Sequence, residues 1–404
     1  MKPWIKILIG LTLGLIFGLV IGHKVEFLDA IGKIFIDLLK MLVGLIIFSS
    51  LVSGICHIHD PKKLGRIGLR TLIYYAITTL IAIGFGVVFA YLFQPGSGLS
   101  LAIPEGLQRS MNYSVEDFLF SLVPSNPFSS FSEGNVLQII VFAVFFAYAI
   151  ILTGHKGKIV LHFLESLAEI MYSLTHFVMR FAPYGIFALI ATAVGSIGLK
   201  VVLPLLKFLI ANYIACILQI VLIFGFSLRV LTKLKMAPFF KGMKDAIILA
   251  FTTSSSSATL PVSLECVRDH LGVSKDISGF VLSLGSTINM NGAAIGQAIS
   301  ALFIAQAYGI EMTWIKISVL FFTALVSAIG AAGIPGTGIV MLSVVLNAMG
   351  LPLEGIALVA GVDRIREMMS AVTNVLGDAA AAVYVAKKEK QIDVKQYHTV
   401  TWLE

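Results

Sequence analysis

Hydrophobic residues in the first part of the chain fall in runs of about twenty, and short polar loops separate these runs. An apolar run of roughly 17–25 residues is long enough to cross the hydrocarbon core of a bilayer as an α-helix. The pattern therefore predicts six membrane spans in residues 1–240. They run at about Trp4 to Gly22, Ile31 to Cys56, Thr71 to Phe93, Val136 to Thr153, a fifth span to about Ile197 that is interrupted near Pro183, and Val201 to Phe226.

Two apolar stretches in the second part of the chain are interrupted in the middle. Between Asp245 and Asp276, six consecutive hydroxyl residues (252–257) precede Pro261. Between residues 313 and 350, the interruption reads AAGIPGTG. Backbone polar groups at such interruptions cannot face lipid. Each stretch is therefore predicted to be a re-entrant hairpin, in which two short helices meet at a polar tip.

Each predicted hairpin is followed by a span that contains Asn-x-x-Gly, starting at Asn289 in the first case and at Asn374 in the second. This indicates an internal duplication of hairpin plus span. Paired Gly/Pro-interrupted apolar segments in corresponding positions are typical of the binding site of a secondary transporter. The NMNG sequence predicts an unwound turn whose carbonyls need a partner, and a bound cation would supply one.

The last span carries a stripe of polar residues. Its members are spaced 4, 3, 4 and 4 apart, which places them within roughly 80° of one helix face: Asp363, Glu367, Ser370, Asn374 and Asp378. Ionisable residues inside a membrane face protein or a watery cavity and are typical of functional sites. The alternative is structural pairing, for example of Asp363 with Arg364 or Arg366. The oxygens of Asn374 and Asp378 suit a hard cation.

Composition agrees with a polytopic helical membrane protein. Of 404 residues, 58% are hydrophobic and 13% are charged, and the mean hydropathy is +0.95. The net charge of +7 comes from basic residues in short loops, as the positive-inside rule requires, and does not indicate a nucleic-acid partner. The same rule predicts that both termini are cytoplasmic. Cys56, Cys216 and Cys266 lie in or beside apolar runs, so no disulfide framework is expected.

Four motifs in order, SSSSATLP, NMNGAA, GIPGTG and DRIREMMSAVTNVLGD, carry a resemblance to a known family. Over essentially its whole length the chain resembles the glutamate-transporter-homologue family, the dicarboxylate/amino-acid:cation symporters. The resemblance implies an all-α polytopic membrane protein with eight transmembrane helices and two re-entrant hairpins, an inverted-repeat elevator transporter. It also implies a homotrimer in the plasma or inner membrane, surrounded by lipid.

The resemblance further implies how the chain is divided. Residues 1–240 would form mainly the scaffold and the trimer contacts, with span three packing on the transport domain. Residues 241–390 would form the transport core, and residues 391–404 a cytoplasmic tail.

By the same resemblance, ten residues would meet the substrate. The backbone at the two hairpin tips would contact it, a serine, a glycine and an asparagine would hold its α-carboxylate, and Glu367 would take the place of an Asp that holds the α-amino group. The full set is Ser254, Ser255, Ser256, Ala293, Ile334, Gly338, Glu367, Ser370, Ala371 and Asn374.

Co-transported Na⁺ is expected at two sites. One would use the carbonyls of Gly285, Asn289 and Asn374 with the carboxylate of Asp378. The other would lie between the first Asn-x-x-Gly span and the second hairpin, at Thr287, Met290, Ala328, Ile329 and Ala331.

A third cation site of the family is matched only in part. Tyr75, Thr78 and Thr79 fit it, together with Asn289, but Asn291 stands where the family has an Asp. A neutral amide does not compensate a desolvated sodium ion as a carboxylate does. We therefore predict weak or absent sodium binding there and fewer coupled ions in each transport cycle.

The substrate is predicted from the positions at which this sequence departs from the pattern of the family. Ser370 stands where members that carry acidic amino acids have an Arg, and a hydroxyl supplies no positive fork for a second carboxylate. Ala293 and Ala371 replace threonines of the pocket. The leading prediction is sodium-coupled symport of a small, neutral amino acid such as serine, alanine or threonine. In the alternative, Arg366 or Arg364 reaches inward, and the protein is a proton- or sodium-coupled glutamate/aspartate or C4-dicarboxylate symporter with Glu367 as a possible proton site.

An enzyme is not expected. An intramembrane hydrolase with a nucleophile among Ser254 to Ser257 would need a general base within reach. The last two spans and the hairpin tips contain no histidine, and His270 lies at the end of a hairpin.

Overall fold

The structure, a computed structural model, describes residues 3–57, 61–99, 101, 123–133, 136–178, 180–197, 201–330 and 336–399. Within these ranges the chain is helical, and extended pairing is confined to one isolated bridge between Val273 and Ile392. The predicted all-α fold class is confirmed.

The helices of the first part follow the apolar runs. They are α1 (Pro3–Ile21), α2 (Asp29–His57), α3 (Pro61–Phe93), α4 (Pro127–Ser132), α5 (Val136–Thr153), α6 (Lys158–Val178), α7 (Ala182–Ile197) and α8 (Val202–Leu218). After α8 the chain continues through π-helical turns at Gln219–Phe224 and Ser227–Leu231. The predicted fifth run is thus two helices. Pro183 has no N–H to continue α6 and stands instead in the first turn of α7, where proline is tolerated.

The second part contains shorter helices that meet in pairs. They are α9 (Met236–Gly242), α10 (Lys244–Thr253), α11 (Ser256–Glu265), α12 (Lys275–Ile288), α13 (Asn291–Ala307), α14 (Trp314–Gly330), α15 (Thr337–Ala348), α16 (Ile356–Lys388) and α17 (Val394–His398). The first predicted hairpin is α10 with α11, and the second is α14 with α15. The predicted break at NMNG is present, because α12 ends before Asn289 and α13 begins at Asn291.

Among the described residues, five helices are long and apolar enough to cross a membrane. They are Arg66–Phe93, Val141–Met171, Val202–Leu231, Lys275–Ala307 and Leu353–Lys388. In the most apolar 18-residue stretch of each helix, 94% and 83% of the residues are buried for the last two, and at most 44% for the first three. The two helical segments that follow the hairpins therefore form the centre of the molecule, and the others are left to face lipid or a partner. The count of eight spans stays a prediction.

Helix α16 lies at the centre of this arrangement and packs against α8, α10, α12 and α13. Its approach to α13 is close because Gly292 has no side chain. A Cβ atom on Gly292 would lie 2.3 Å from the carbonyl oxygen of Ser370. Small residues at such crossings let membrane helices come into backbone contact. The polar stripe of α16 is consequently turned toward the hairpins and the break, away from lipid.

The segment that follows α16 packs back onto the protein. Tyr397 is fully buried, and its hydroxyl donates to the carbonyl of Lys235 at 2.7 Å. The backbone N–H of Asp393 donates to the carbonyl of Gly272 at 2.8 Å. The residues predicted as a tail therefore join the end of α16 to the segment after α11 and to the segment before α9.

Candidate substrate and cation site

The five stripe residues of α16 are all buried in the protein, with exposed fractions between 4% and 8%. Such a row of polar side chains is solvated only by other protein groups or by a ligand, since lipid cannot do so. Their partners come from the second hairpin, from Arg366 on α16 itself and from the break between α12 and α13. The stripe therefore lies where α16 meets the second hairpin and the break.

Arg366 lies inside this region and is 3% exposed. Its Nε donates to Asp363 Oδ1 at 2.6 Å, and its Nη1 donates to Ser370 Oγ at 3.3 Å. The guanidinium occupies the space left by two glycines, because Cβ atoms on Gly296 and Gly338 would come within 1.9 Å of Nη1 and 2.6 Å of Nη2. A fixed positive charge is thus present beside Ser370, supplied from one turn earlier on the same helix.

Arg364 points elsewhere. Its Nη2 donates to the carbonyl oxygen of Thr253, at the end of α10, at 2.9 Å. Its Nη1 lies 3.6 Å from Glu367 Oε2. Arg364 therefore lies off the stripe and contacts the first hairpin.

Glu367 contacts the second hairpin. Both of its carboxylate oxygens accept from the N–H of Gly336 at 3.2 Å. A Cβ atom on Gly338 would lie 2.8 Å from Glu367 Oε1. The carboxylate therefore lies directly at the start of α15.

The tip of the first hairpin is formed by serines. Ser254 has a left-handed backbone (φ 53°), which ends α10, and Ser255 accepts from the N–H of Ala258 to begin α11. Ser256 Oγ lies 3.8 Å from Met290 Sδ, so the tip lies over the break in the neighbouring span. The Ser254 hydroxyl is buried, and no described residue hydrogen-bonds to it. A buried hydroxyl of this kind at a meeting point of elements suits a ligand.

Asn374 ties α16 to the break. Its Oδ1 accepts from the N–H of Gly292 at 2.7 Å, and its Nδ2 lies 3.2 Å from Met290 Sδ. Ala293 follows Gly292 on α13, and the buried Ala371 follows Ser370 on α16. Contacts through Met290, Gly292 and Arg366 bring five of the predicted substrate residues together, namely Ser256, Gly338, Glu367, Ser370 and Asn374. Ile334 lies outside the described residues.

Two of the residues predicted for the first sodium site, Gly285 and Asn289, lie against Asp378, and the site itself stays a prediction. Asp378 Oδ1 accepts from Asn289 Nδ2 at 2.8 Å, and a Cβ atom on Gly285 would come within 2.3 Å of the same oxygen. The carboxylate thus lies against the backbone of Gly285, close to the carbonyls where α12 unwinds. A donor set of carboxylate and carbonyl oxygens suits Na⁺, a hard cation.

The second predicted sodium site is described only in part. Met290 is buried at the break, and the Thr287 hydroxyl donates to the Leu284 carbonyl of its own helix at 3.0 Å. Ala328 and Ile329 lie near the end of α14, which packs against α12. Ala331 lies outside the described residues, so this site stays a prediction.

The residues of the doubtful third site do come together. Thr79 donates to Asn291 Oδ1 at 2.9 Å, and Asn291 Nδ2 donates to Asn289 Oδ1 at 3.0 Å and approaches Thr78 Oγ1 at 3.5 Å. The Tyr75 hydroxyl donates to the Val281 carbonyl at 2.8 Å. The amide N–H groups of Asn291 therefore hydrogen-bond to oxygens that would otherwise be free to bind a cation.

Replacing Asn291 with aspartate is expected to create a cation site here. The change removes the N–H donors and adds a charge beside the same oxygens. We expect the sodium concentration for half-maximal uptake to fall by about tenfold, with a steeper sodium dependence, because a buried charge–cation contact is worth more than about 1.4 kcal/mol. Sodium titration of substrate uptake in proteoliposomes measures this. Asn291→Ala is the matched control, since it removes the donors without adding charge. An unchanged sodium curve in Asn291→Asp would contradict the prediction.

Gly296 and Gly336 belong to the site although sequence reasoning did not select them. Gly296 follows Gly292 by four residues, and a small-x-x-x-small pattern of this kind predicts close helix approach in membranes. The missing side chain at Gly296 leaves room for a large side chain of α16, and the pattern could have indicated this. The role of the Gly336 N–H depends on the fold of the second hairpin and carries no sequence signal.

A buried polar site between duplicated helix-break segments, in a protein with several long apolar helices, defines a membrane transporter. Residues 4–388 match the sodium:dicarboxylate symporter family. The chain belongs to this family. It is therefore a secondary transporter, a cation-coupled symporter integral to the membrane, and not an enzyme.

Three relatives illustrate the similarity. The chain is 37% identical over 407 residues to "Proton/sodium-glutamate symport protein" of Geobacillus stearothermophilus. The alignment covers 97% of this chain and 96% of the relative. It is 36% identical over 413 residues to "Proton/glutamate-aspartate symporter" of Escherichia coli (strain K12), with 97% and 94% covered. It is 32% identical over 404 residues to "C4-dicarboxylate transport protein" of Serratia proteamaculans (strain 568), with 98% and 94% covered.

The prediction of a neutral substrate is not supported. These relatives are named for acidic substrates, and the alternative prediction fits them better. The leading prediction was based on the identity of Ser370. It did not include the two glycines that let Arg366 lie against the Ser370 hydroxyl.

Proposed function

We propose that the protein is a cation-coupled symporter of glutamate or aspartate. The observation that carries this proposal is the buried guanidinium of Arg366, which donates to Ser370 Oγ beside the carboxylate of Glu367. An acidic amino acid brings two carboxylates and one ammonium group. Arg366 supplies a partner for the side-chain carboxylate, and Glu367 supplies a partner for the ammonium.

The remaining carboxylate would bind where the first hairpin, the break and α16 meet. Asn374 and Ser256 are both within reach of Met290 there, and the Ser254 hydroxyl is buried without a partner among the described residues. Arg366 can serve a ligand while keeping its present contacts, because a guanidinium carries five N–H donors and these contacts use two of them. Two parallel N–H donors would also select a planar carboxylate over a neutral group.

A C4-dicarboxylate is the second candidate, favoured by the relative of that name in Serratia proteamaculans. Such a substrate has no ammonium group to offset Glu367. The four charged residues 363, 364, 366 and 367 already balance as two acids and two bases. A dianion would therefore leave an excess negative charge in a buried site, which is costly. The presence of Glu367 favours the amino acid.

Sodium is the proposed coupled ion, bound by Asp378 with the carbonyls of residues 285, 289 and 374. Elevator movement of residues 241–390 against a trimeric scaffold formed mainly by residues 1–240 remains part of the proposal, as do cytoplasmic termini. In its favour, most residues in the apolar middle of the two helical segments that follow the hairpins are buried, which suits a core that moves as one body.

Uptake into proteoliposomes tests the proposal. The purified protein is reconstituted and offered labelled L-glutamate, L-aspartate, succinate, L-serine, L-alanine and L-threonine, first with an inward sodium gradient and then with a proton gradient alone. We expect sodium-driven uptake of glutamate or aspartate, with succinate weaker. Uptake of serine, alanine or threonine without glutamate or aspartate would overturn the substrate assignment. Uptake that needs only the proton gradient would overturn the assignment of sodium.

A further inference from the structure

A line of polar contacts crosses α16 from one hairpin to the other. At one end, Arg364 Nη2 donates to the Thr253 carbonyl at 2.9 Å. At the other end, the Gly336 N–H donates to both oxygens of Glu367 at 3.2 Å. Arg364 Nη1 lies 3.6 Å from Glu367 Oε2 and joins the two halves. One ion pair on one helix thus contacts both hairpins.

Each charge of the pair meets a helix end of the opposite polarity. The Thr253 carbonyl belongs to the last residue of α10, and the left-handed Ser254 prevents the helix from continuing. The last carbonyls of a helix lack partners within it and attract a cation. Gly336 precedes the first residue of α15, so its N–H is one of the unpaired donors that attract an anion. The ion pair therefore stabilises the adjacent ends of both hairpins.

The same carboxylate is the proposed partner of the substrate ammonium group. Two equal distances of 3.2 Å describe a shared, weak hydrogen bond from Gly336, which a stronger cationic donor can displace or share. With substrate bound, the ammonium group and the substrate carboxylates would join the hairpins to α16. Without substrate, that role falls to Arg364 and Glu367.

We propose that Arg364 is a positioning residue that holds the two hairpins together through Glu367 when the transporter returns without substrate. This inference rests on the proposed function in one respect, the binding of an ammonium group by Glu367. In a net transport cycle, the empty binding site of a symporter must return across the membrane without substrate. A hairpin that is not held in place would expose the site during that return. Exchange of internal for external substrate omits that step, because the transporter is loaded in both directions.

Arg366 does not replace Arg364 in this role. Its guanidinium is held by Asp363 and Ser370 at 2.6 Å and 3.3 Å, in the space between Gly296 and Gly338. Arg364 is only partly buried, and its contacts are made with Thr253 and Glu367. A change at Arg364 is therefore expected to leave the proposed substrate guanidinium in place.

The experiment compares net uptake with exchange in the same proteoliposomes. Net uptake of labelled L-glutamate is measured into vesicles without internal substrate, and exchange is measured into vesicles preloaded with unlabelled L-glutamate. If the substrate panel identifies L-serine or L-alanine instead, that amino acid is used on both sides, because it also brings an ammonium group to Glu367. A wrong substrate assignment is then seen in the panel and leaves this comparison intact.

For Arg364→Gln we expect net uptake to fall at least about tenfold while exchange stays within about twofold, a coupling of ordinary size between two sites. Arg364→Lys keeps the charge and should restore part of net uptake. Arg268→Gln is the matched control, because Arg268 is an exposed arginine of the first hairpin segment paired with Asp269, and neither rate should change. Retained exchange also shows that the variant is folded.

A parallel fall of net uptake and exchange in Arg364→Gln would overturn the proposal, and so would an unchanged net uptake. Where Arg364→Gln cannot be purified, Arg364→Lys decides. The single ammonium group of lysine contacts the Thr253 carbonyl and Glu367 at the same time less well than the guanidinium of arginine does. Net uptake should therefore fall more than exchange. Equal effects on both rates in Arg364→Lys would also overturn the proposal.

Discussion

Uptake of L-glutamate is expected to fall by roughly 30- to 1,000-fold when Arg366 is replaced with glutamine. Removing one partner of a buried, hydrogen-bonded charge pair costs about 2–4 kcal/mol, and each 1.4 kcal/mol is tenfold. The loss should appear mainly as a higher KM for glutamate, because the substrate loses its partner while the hairpins keep theirs. Initial rates over a range of glutamate concentrations measure the effect.

The control for this variant removes both charges of the pair. Arg366→Gln alone leaves Asp363 buried without its 2.6 Å partner, which can destabilise the protein. The double variant Asp363→Asn with Arg366→Gln keeps the charge balance of the buried pair and leaves an amide on each side. We expect it to be folded, to remain poor in glutamate uptake and to take up L-serine or L-alanine at least as well as the unaltered protein. Normal glutamate uptake by the double variant would show that Arg366 does not bind the substrate.

Replacing Asp378 with asparagine is expected to abolish sodium-driven uptake. The carboxylate lies against the Gly285 backbone and accepts from Asn289, so it supplies the negative charge beside the carbonyls of the break. A neutral amide of the same shape keeps the packing but cannot offset a desolvated cation. We expect the sodium concentration for half-maximal substrate binding to rise by more than about 100-fold, from a loss of about 3 kcal/mol or more. Calorimetric titration of substrate at a series of sodium concentrations measures it.

Asp276→Asn provides the comparison for this change. Asp276 is an exposed acid in the first turn of α12, the same helix that leads to the site. Its replacement should leave the sodium dependence unaltered. If Asp378→Asn binds substrate with the sodium dependence of the unaltered protein, the sodium site has been placed on the wrong residues.

Much of the fold could be predicted because lipid imposes simple rules on sequence. The run predicted at about Val136 to Thr153 coincides with α5, since polar residues bound it on both sides. Helix α3 begins ten residues before the predicted Thr71, because lysine and arginine continue a helix readily although hydropathy marks them as a loop. The extension of the sixth span to Leu231 has the same cause, as Arg229 lies within the helical turns.

The sequence was enough to predict which polar residues of the last span lie together, but not how their side chains are oriented. Polar residues at helical spacing on the last span were enough to place the stripe of α16, because a membrane restricts where such residues can lie. The direction of Arg366 was not predictable in this way. It depends on two glycines that are 42 residues apart in the chain, Gly296 and Gly338, and on helix packing that brings them together. The hydrogen bonds of Asn291 with Thr78 and Thr79 likewise join residues that are more than 200 positions apart.

The burial of Tyr397 has a consequence for how the protein is made. The aromatic ring belongs to the same hydrophobic cluster as Phe239, Leu271 and Val281, which lie more than a hundred residues earlier in the chain. During synthesis these earlier residues are made first, and part of their apolar surface stays uncovered until Tyr397 has been added to the chain. The packing around the first hairpin can therefore be completed only after α17 has been made. Deletion of α17 would leave this apolar surface uncovered in the folded protein.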